Sequence, residues 1–274
     1  MKGKYFLIDN KIEYAANYQM QDTEQVVYEV IRFYGGIPLF YEDHINRLKH
    51  SLQIVKRSVP VNPITLLDHL FSLRKANEIN VGNVMIRVEF YKNNFSVIAY
   101  FIAHAYPTAN DYLNGVGVGF LEAERTNPEA KVVNMSVREA ANREIAMSGV
   151  YEVLLVDQHQ HVHEGSRSNF FGVKHGELYT APLNHVLKGI TLEKVFQIAE
   201  AMQLAVHLEP IPQNDLSNFD ALFLTGTSPQ ILPVKSIGAI SYDVYNPTVR
   251  IIMEKYDELI AADLNKKGTP VGHP

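Results

Sequence analysis

Two ionisable side chains, Lys131 and Glu164, have surroundings that could support chemistry. Lys131 precedes Val132-Val133, and apolar neighbours would help to desolvate its amine and lower its pKa towards a reactive value. Glu164 begins the segment Glu164–Asn169, which contains a glycine and two serines and lies between two alternating apolar runs. This composition predicts a strand end that turns back across a pocket. Considered alone, either residue is more simply explained as a solvated surface charge.

Two corners of small residues could bind an anion. Gly189-Ile190-Thr191 is expected to open a helix, with Thr191 or a neighbour as N-cap, and the free N–H groups of a helix start attract phosphate. Thr225–Ser228 offers amides and hydroxyl groups at a predicted strand end. Arg47, on a predicted helix of the first half, could supply a cation, although an exposed helical arginine is usually a solvated charge. None of these signals is specific alone, so we base the interpretation on the order in which they follow one another along the chain.

Three histidines, His159, His161 and His163, alternate along a predicted strand and would share one face. Imidazole is a common metal ligand, so a metal site has to be weighed. No second group of ligands accompanies them in the sequence, and exposed alternation on a hairpin explains them as well. The sequence therefore predicts no metal site.

Composition limits the classes of partner. Of 274 residues, 46% are hydrophobic, which is enough for a substantial core, and the net charge of −5 gives no basic footprint for nucleic acid. The absence of cysteine excludes disulfides, thiolate metal sites and cysteine nucleophiles, and it agrees with a reducing compartment. The first apolar run is too short for a signal peptide, and no later run reaches membrane-spanning length. We expect a soluble, cytoplasmic protein that binds small molecules and neither nucleic acid nor membrane.

The elements that would position these residues follow from apolar periodicity, with alternation predicting strands and helical spacing predicting helices. In the first half, the predicted elements are a hairpin over Tyr5–Tyr14, a second hairpin over Val26–Phe40 that turns at Gly35-Gly36, helices over Glu42–Arg57 and Pro63–Asn77, and two strands over Asn83–Ala105. This pattern predicts an N-terminal α+β domain over residues 1–106.

Turn-forming residues without periodicity predict an interdomain linker over residues 107–114, and a C-terminal domain over residues 115–274. Its predicted helices and strands cover Met135–Met147, Val153–Val156, His159–His163, a hairpin around His175-Gly176, Gly189–Met202, Val206–Glu209, Ala221–Leu224 and Pro247–Asn265. Gly115, Gly117 and Gly119 alternate with apolar residues but lack the full spacing and the following helix of a dinucleotide fingerprint. We interpret them as positions of close packing.

The order of these motifs resembles the class IV (fold type IV) pyridoxal-phosphate aminotransferases, the group of branched-chain aminotransferase, D-amino-acid aminotransferase and aminodeoxychorismate lyase. The second half carries the resemblance in Lys131–Asn134, Val153–Asp157, HEGSRSNFFGV (His163–Val173), GELYTAP (Gly176–Pro182), LKGIT (Leu187–Thr191) and FLTGTSPQILPV (Phe223–Val234). In the first half, YEVIRFYGGIPLFYEDHINRL (Tyr28–Leu48) resembles the family's opening hairpin and phosphate helix. The resemblance spans nearly the whole chain. It implies a two-domain α+β / α/β fold type IV enzyme, with a smaller N-terminal α+β domain and a larger C-terminal domain with a strand-rich pseudo-barrel core.

The resemblance also implies pyridoxal 5'-phosphate as the cofactor. Lys131 would form the Schiff base with the cofactor aldehyde and then act as general acid and base. Glu164 would face the pyridine nitrogen and keep it protonated, so that the ring can act as an electron sink. The phosphate would be held by Arg47, the N–H groups of Ile190 and Thr191, and Thr227.

Substrate recognition is where the sequence departs from the family pattern. Tyr28, Arg87 and Ser228 are the substrate-side candidates. Arg87 resembles a substrate-side arginine of the branched-chain enzymes, but Met85 replaces the neighbouring tyrosine, and Phe90 stands where D-amino-acid aminotransferases carry a carboxylate-binding arginine. An ion pair with an acid across the sheet would explain Arg87 equally well.

Two further departures concern the reaction. The segment Met20–Val26 lacks the acid and glycines that the family usually has there, which predicts a differently shaped loop, and Val30 replaces a threonine of the lyases. We predict an aminotransferase that moves an amino group between a small amino acid and a 2-oxo acid and acts as a homodimer. A lyase of the aminodeoxychorismate type and a non-catalytic cofactor-binding homologue are the alternatives. The substrate and its stereochemistry stay open.

Overall fold

The chain divides into two compact units. Unit 1 comprises Met1–Ala105, Ala130–Val133 and the chain from Ala261 onward, and unit 2 comprises Tyr106–Glu129 and Asn134–Ile260. The computed structural model describes residues 1–19, 21–92, 94–125, 128–133 and 135–266. The change of unit after Ala105 lies beside the predicted boundary. The return of Ala130–Val133 to unit 1 was not predicted, because its cause is backbone pairing with a distant strand.

Unit 1 is built on a six-stranded antiparallel sheet. Its elements are β1 (Lys2–Ile8), β2 (Lys11–Tyr14), β3 (Gln25–Tyr34), β4 (Ile37–Pro38), α1 (Tyr41–Ile54), α2 (Pro63–Asn77), β5 (Gly82–Tyr91) and β6 (Asn94–Ile102). The strand order is β2-β1-β6-β5-β3-β4. Gly35 and Gly36, with φ of 57° and 87°, form the tight turn between β3 and β4, because two successive positive φ angles favour glycine. The predicted hairpins and both helices of this half are confirmed.

Strand alternation gives this sheet two different faces. Val27 and Ile31 of β3 and Ile86 of β5 lie on the face that forms the core of unit 1, where they are almost fully buried with apolar residues of α1 and α2. Because successive side chains of a strand point to opposite faces, Tyr28 of β3 and Arg87 of β5 lie on the other face. They are direct cross-strand partners. The sheet therefore separates its apolar core from a face that carries two of the predicted site residues.

Unit 2 is built on a ten-stranded mixed sheet. Its elements are α3 (Ala109–Asn114), β7 (Val116–Glu122), α4 (Met135–Ser148), β8 (Glu152–Val156), β9 (His161–Gly165), β10 (Asn169–Lys174), β11 (Glu177–Thr180), α5 (Ile190–Ala201), β12 (Val206–Leu208), β13 (Ile211–Pro212), β14 (Ala221–Gly226), β15 (Gln230–Ile237), β16 (Ile240–Ser241) and α6 (Pro247–Lys266), whose last turns belong to unit 1. The order is β12-β11-β10-β14-β15-β7-β8-β9-β13, with β16 beside β15. The β7 pairings with β15 and β8 are parallel.

Three predictions in this half need correction. The predicted linker contains helix α3, which begins with a capping box in which Thr108 and Asp111 bond each other's backbone N–H groups. His159 lies in a turn rather than on a strand, so it does not share a strand face with His161 and His163. Strand β15, which pairs along β14, was missed. None of the helices in the described ranges is long and apolar enough to span a membrane.

Candidate active site

Lys131 lies on a short extended segment that pairs with β3. The N–H of Tyr28 donates to the Lys131 carbonyl at 3.0 Å, and the N–H of Val133 donates to the Val26 carbonyl at 3.2 Å. The N–H of Lys131 donates to Ser51 Oγ of α1 at 3.1 Å. A strand and a helix of unit 1 thus both hold the Lys131 backbone. The pairing explains why this segment, far from β3 in sequence, belongs to unit 1.

The amine of Lys131 lies over an aromatic ring. Its Nζ is 4.8 Å from the centroid of the Tyr28 ring, a distance typical of a cation–π contact. Tyr28 is 8% exposed, so this side of the amine is shielded from water. Since Arg87 is the cross-strand partner of Tyr28, the structure brings three predicted residues to one region of the sheet.

Arg47 belongs to a buried cluster of charged and polar groups. Its Nε and Nη2 donate to Oε1 and Oε2 of Glu29, each at 2.7 Å, in a bidentate pair. His44 Nδ1 lies 2.9 Å from Oε2 of the same carboxylate. Glu29 is fully buried, and the Arg47 side chain is only 9% exposed. The interpretation of Arg47 as a solvated helical charge is therefore wrong.

The protonation states of this cluster follow from its partners. Burial would raise the pKa of Glu29, but the charge and hydrogen bonds of Arg47, together with the hydrogen bond of His44, outweigh it and lower that pKa to about 2. Burial lowers the pKa of His44; the hydrogen bond and charge of Glu29 oppose this, and the charges of Arg47 and Lys131 add to it. At neutral pH the cluster consists of an ionised Glu29, a charged Arg47 and a neutral His44 whose Nδ1–H donates to Glu29.

Sequence reasoning missed Glu29 and His44, although two signals were present. Glu29 is an acid within the apolar run of β3, at a position that alternation assigns to the core face with Val27 and Ile31. A carboxylate there needs a partner. His44 and Arg47 are three residues apart on α1, which places them on the same side of a helix.

Glu164, near the end of β9, is held by three donors. Its Oε1 lies 3.1 Å from Arg125 Nε, and its Oε2 accepts from Asn169 Nδ2 and from the Leu187 N–H, each at 3.2 Å. Glu164 is 2% exposed, so the alternative of a solvated strand end is wrong. Asn169 Nδ2 also donates to the Leu187 carbonyl at 2.8 Å. The carboxylate therefore has a fixed orientation.

A second buried glutamate organises the loop that follows Glu164. Glu152 of β8 accepts from Ser166 Oγ at 2.7 Å, from the Arg167 N–H at 3.1 Å and from Ser168 Oγ at 3.2 Å. One carboxylate thus binds three successive residues of the loop. The sequence predicted the turn from glycine and serine but gave no sign of Glu152, which is separated from the loop along the chain.

Helix α5 begins beside this loop. Gly189, rather than Thr191, is its N-cap, and it makes no side-chain cap. A Cβ on Gly189 would clash with Asn169 Oδ1, so glycine allows the helix start to approach the residue that binds Glu164. The first N–H groups of an α-helix have no acceptor within the helix, and here they include those of Ile190 and Thr191. The helix start therefore presents donors next to the loop.

The corner Thr225–Ser228 adjoins the same loop. Thr225 is the cross-strand partner of Asn169, and Thr227 and Ser228 lie in the turn between β14 and β15. Thr225 is fully buried, and within the described residues its Oγ1 has no hydrogen-bond partner. Unit 2 thus assembles Glu164, the start of α5 and this corner around Asn169.

Asp157, which follows β8, contacts all three histidines of the sequence motif. His163 Nε2 lies 2.9 Å from Asp157 Oδ2, and Asp157 Oδ1 accepts the N–H groups of His159 and His161, each at 2.8 Å. Burial would raise the pKa of Asp157, but hydrogen bonds from the His161 N–H, the His163 ring and the His159 N–H lower it to about 2. Glu124, Asp157 and His163 place one ligand atom each within 4.8 Å of the others, which a divalent cation could use. The Asp157 carboxylate is already used in the β8–β9 turn, which explains this grouping without a metal ion. The absence of a metal site stays a prediction.

The chain is similar in sequence to known proteins. A model of the family described as "Amino-transferase class IV" matches residues 26–237. A protein of Thermotoga maritima named "Probable branched-chain-amino-acid aminotransferase" is 28% identical over 249 residues, 88% of each chain. The D-alanine aminotransferase of Bacillus licheniformis is 26% identical over 222 residues, 77% of this chain and 78% of its own.

Solved structures share the fold. The branched-chain aminotransferase of Escherichia coli superposes with a TM-score of 0.85 over 96% of each chain, at 20% identity. The branched-chain aminotransferase of Thermobaculum terrenum, solved in its PLP form, gives a TM-score of 0.82 over 99% of each chain at 22% identity. The two units therefore form a fold type IV architecture, as predicted. This chain belongs to the class IV aminotransferases, a family of pyridoxal-phosphate-dependent enzymes.

The buried pair of Glu29 and Arg47 makes a prediction about stability and pH. Glu29→Gln should lower the free energy of unfolding by about 3–5 kcal/mol at pH 7, because it leaves a buried arginine without its counter-charge. The folded pKa of Glu29, about 2, lies below the ordinary glutamate value, so its contribution is present above that value and is lost as the pH falls towards 2. Urea unfolding at a series of pH values should therefore show a smaller acid loss of stability in Glu29→Gln than in the wild type.

The control is Glu258→Gln, since Glu258 makes an exposed ion pair with Lys255 on α6. An exposed pair is screened by solvent and contributes little to stability, so this variant should keep the wild-type pH profile. Equal stability of the Glu29→Gln and Glu258→Gln proteins at pH 7 would contradict the assignment.

Proposed function

We propose that the amino transfer of this chain runs through Lys131, which would bind the aldehyde of pyridoxal 5'-phosphate and move the proton at the substrate carbon. The observation that carries this assignment is the contact of Lys131 Nζ with the Tyr28 ring, on a backbone held by β3 and α1. A fixed, partly desolvated amine suits both nucleophilic attack on a carbonyl and proton transfer. The reaction would move an amino group between a small amino acid and a 2-oxo acid.

The donor groups of unit 2 fit two parts of this cofactor. Thr225 Oγ1, which has no hydrogen-bond partner among the described residues, and the start of α5 lie next to the Glu164 loop, and both suit an anion such as a phosphate. The Glu164 carboxylate, oriented by Arg125, Asn169 and Leu187, suits a protonated ring nitrogen. Arg47, Ile190, Thr191 and Thr227 are the proposed phosphate ligands.

Each proposed residue has a task of its own. When bound, the cofactor supplies an electron sink for the electrons released at the substrate Cα. Glu164 would hold the proton on the ring nitrogen, and Lys131 would carry the proton to and from the substrate carbon. Glu29 would act indirectly, since its bidentate contact holds the Arg47 fork in one orientation. Tyr28, Arg87 and Ser228 are the proposed substrate-side contacts.

The names of the relatives limit the class of amino-acid substrate only in part. Those compared above are named for branched-chain amino acids and for D-alanine, which are uncharged at the side chain. We therefore propose a neutral amino acid as the donor. We also propose that the protein is a cytoplasmic homodimer; the lack of cysteine supports a reducing compartment, and the family resemblance supports the dimer. The altered segment that begins at Met20 lies partly outside the described residues.

The lysine assignment predicts a spectroscopic result. Lys131→Ala should lose the visible absorbance of the lysine-bound cofactor, and borohydride reduction followed by peptide mass mapping should find no cofactor on lysine. Lys188→Ala is the matched control, because Lys188 is the nearest competitor in the motif order, and it should keep the reducible adduct. An adduct that persists in Lys131→Ala would place the bond on another lysine.

The glutamate assignment predicts a kinetic result with cofactor retained. Glu164→Gln should still bind the cofactor, since the amide keeps the size of the side chain, but its single-turnover rate should fall about 10²-fold or more because the ring nitrogen loses its charged partner. Stopped-flow absorbance gives this rate. Glu209→Gln, an exposed glutamate of unit 2, should react at the wild-type rate. An unchanged rate in Glu164→Gln would remove its proposed role.

The two outcomes of the chemistry separate in a half-reaction. Mixed with a neutral amino acid alone, an aminotransferase should convert its bound cofactor to the amine form, with loss of the aldehyde absorbance and release of one 2-oxo acid per site. A lyase would release pyruvate from its own substrate and keep the aldehyde form. Testing L- and D-amino acids in parallel identifies the stereochemistry. A cofactor that no amino acid changes would favour a non-catalytic homologue.

A further inference from the structure

A second charged cluster lies beside Tyr28 on the face of the unit 1 sheet that points away from its core. Arg87 and Glu89 are two residues apart on β5, so both side chains leave the same face. Arg87 is the cross-strand partner of Tyr28, and the Tyr28 ring lies under Lys131 Nζ. The cluster is thus one strand away from the proposed catalytic amine.

The two charges of this cluster lie against each other. Arg87 Nε is 2.9 Å from Glu89 Oε1, and Glu89 is 2% exposed whereas the Arg87 side chain is 20% exposed. Within the described part of the chain neither of these two atoms has an aligned hydrogen bond, since side chains two apart on a strand run side by side. The contact is therefore an electrostatic pairing rather than a bidentate fork.

Tyrosines complete the cluster. Tyr91 Oη donates to Glu89 Oε2 at 2.9 Å, and Arg87 Nη1 donates to Tyr100 Oη at 3.3 Å. Burial, followed by the hydrogen bond and negative charge of Glu89, raises the pKa of Tyr91 to about 12. Burial, followed by the charge of Glu89, also raises the pKa of Tyr18. The charge of Arg87 opposes that of Glu89 at Tyr18, so the two charges partly offset each other there.

We propose that Glu89 determines the charge preference of the substrate side chain, because it neutralises Arg87, the proposed substrate-side arginine, and so disfavours side chains that carry a carboxylate. The inference rests on the proposed function, in which Arg87 faces the substrate. A single substrate carboxylate that approaches Arg87 meets the repulsion of Glu89 as well as the attraction of the guanidinium, so its net attraction is small. The phosphate proposed for Arg47 differs, because it carries more charge and has the N–H groups of Ile190 and Thr191 as further proposed donors. The donor and acceptor are then both expected to be neutral at the side chain.

The experiment compares glutamine with glutamate, which have similar shapes and differ in charge. In the wild-type holoenzyme, stopped-flow absorbance gives the second-order rate constant of each half-reaction. The constant for glutamine should be about tenfold or more above that for glutamate, measured with whichever enantiomer reacts. Glu89→Gln should raise the glutamate-to-glutamine ratio about tenfold or more, a change of about 1.4 kcal/mol. Adding Arg87→Gln to this variant should remove the gain, and Glu258→Gln should leave the wild-type ratio unchanged.

A binding measurement makes the test independent of turnover. Glutarate, an unreactive dicarboxylate, should raise the melting temperature of the Glu89→Gln holoenzyme more than that of the wild type. A wild-type enzyme that reacts faster with glutamate than with glutamine overturns the proposal. So does a Glu89→Gln protein whose glutamate-to-glutamine ratio and glutarate-induced shift of melting temperature both equal those of the wild type. If no amino acid changes the bound cofactor, the proposed function fails instead, and the glutarate shift alone decides the role of Glu89.

Discussion

The site in unit 1 depends on the pairing of Ala130–Val133 with β3. This pairing places Lys131 next to Tyr28, and because side chains alternate along a strand, the next residue, Glu29, points to the opposite face and binds Arg47. One strand therefore positions the proposed amine through one residue and the proposed phosphate arginine through its neighbour. A shift of one residue in the register of β3 would exchange the two faces and break both contacts.

In unit 2, hydrogen bonds between buried polar atoms position the candidate site residues. Asn169 donates to Glu164 and to the Leu187 carbonyl, and it packs against Gly189 at the start of α5. A strand end, a loop and a helix start thereby converge on one amide. Glu152 adds the bonds that hold the loop itself. Because unpaired polar groups are costly inside a protein, these contacts specify the local backbone more tightly than apolar packing would.

The sequence was informative where the signal is local. Helix α2 has the predicted bounds, and its start follows from Asn62-Pro63, a strong start signal. The turns at Gly35-Gly36 and His175-Gly176 follow from residue type. It was uninformative where partners are distant. The return of Ala130–Val133 to β3 joins residues about a hundred positions apart, and no periodicity records such a contact. The order of motifs recovered the family and its cofactor because that order reflects the whole fold.

The buried glutamates of the two units fall into two kinds, and the difference bears on their roles. Glu152 is held by hydroxyl and N–H donors, as suits a group that only shapes a loop. Glu29, Glu89 and Glu164 each face an arginine instead. Buried ion pairs are expensive to desolvate and often add little to stability, so stability alone is a weak reason for three of them. What an arginine adds is a fixed charge, and these pairs fall at the proposed phosphate, substrate and ring-nitrogen contacts, where the charge presented to a ligand decides what binds.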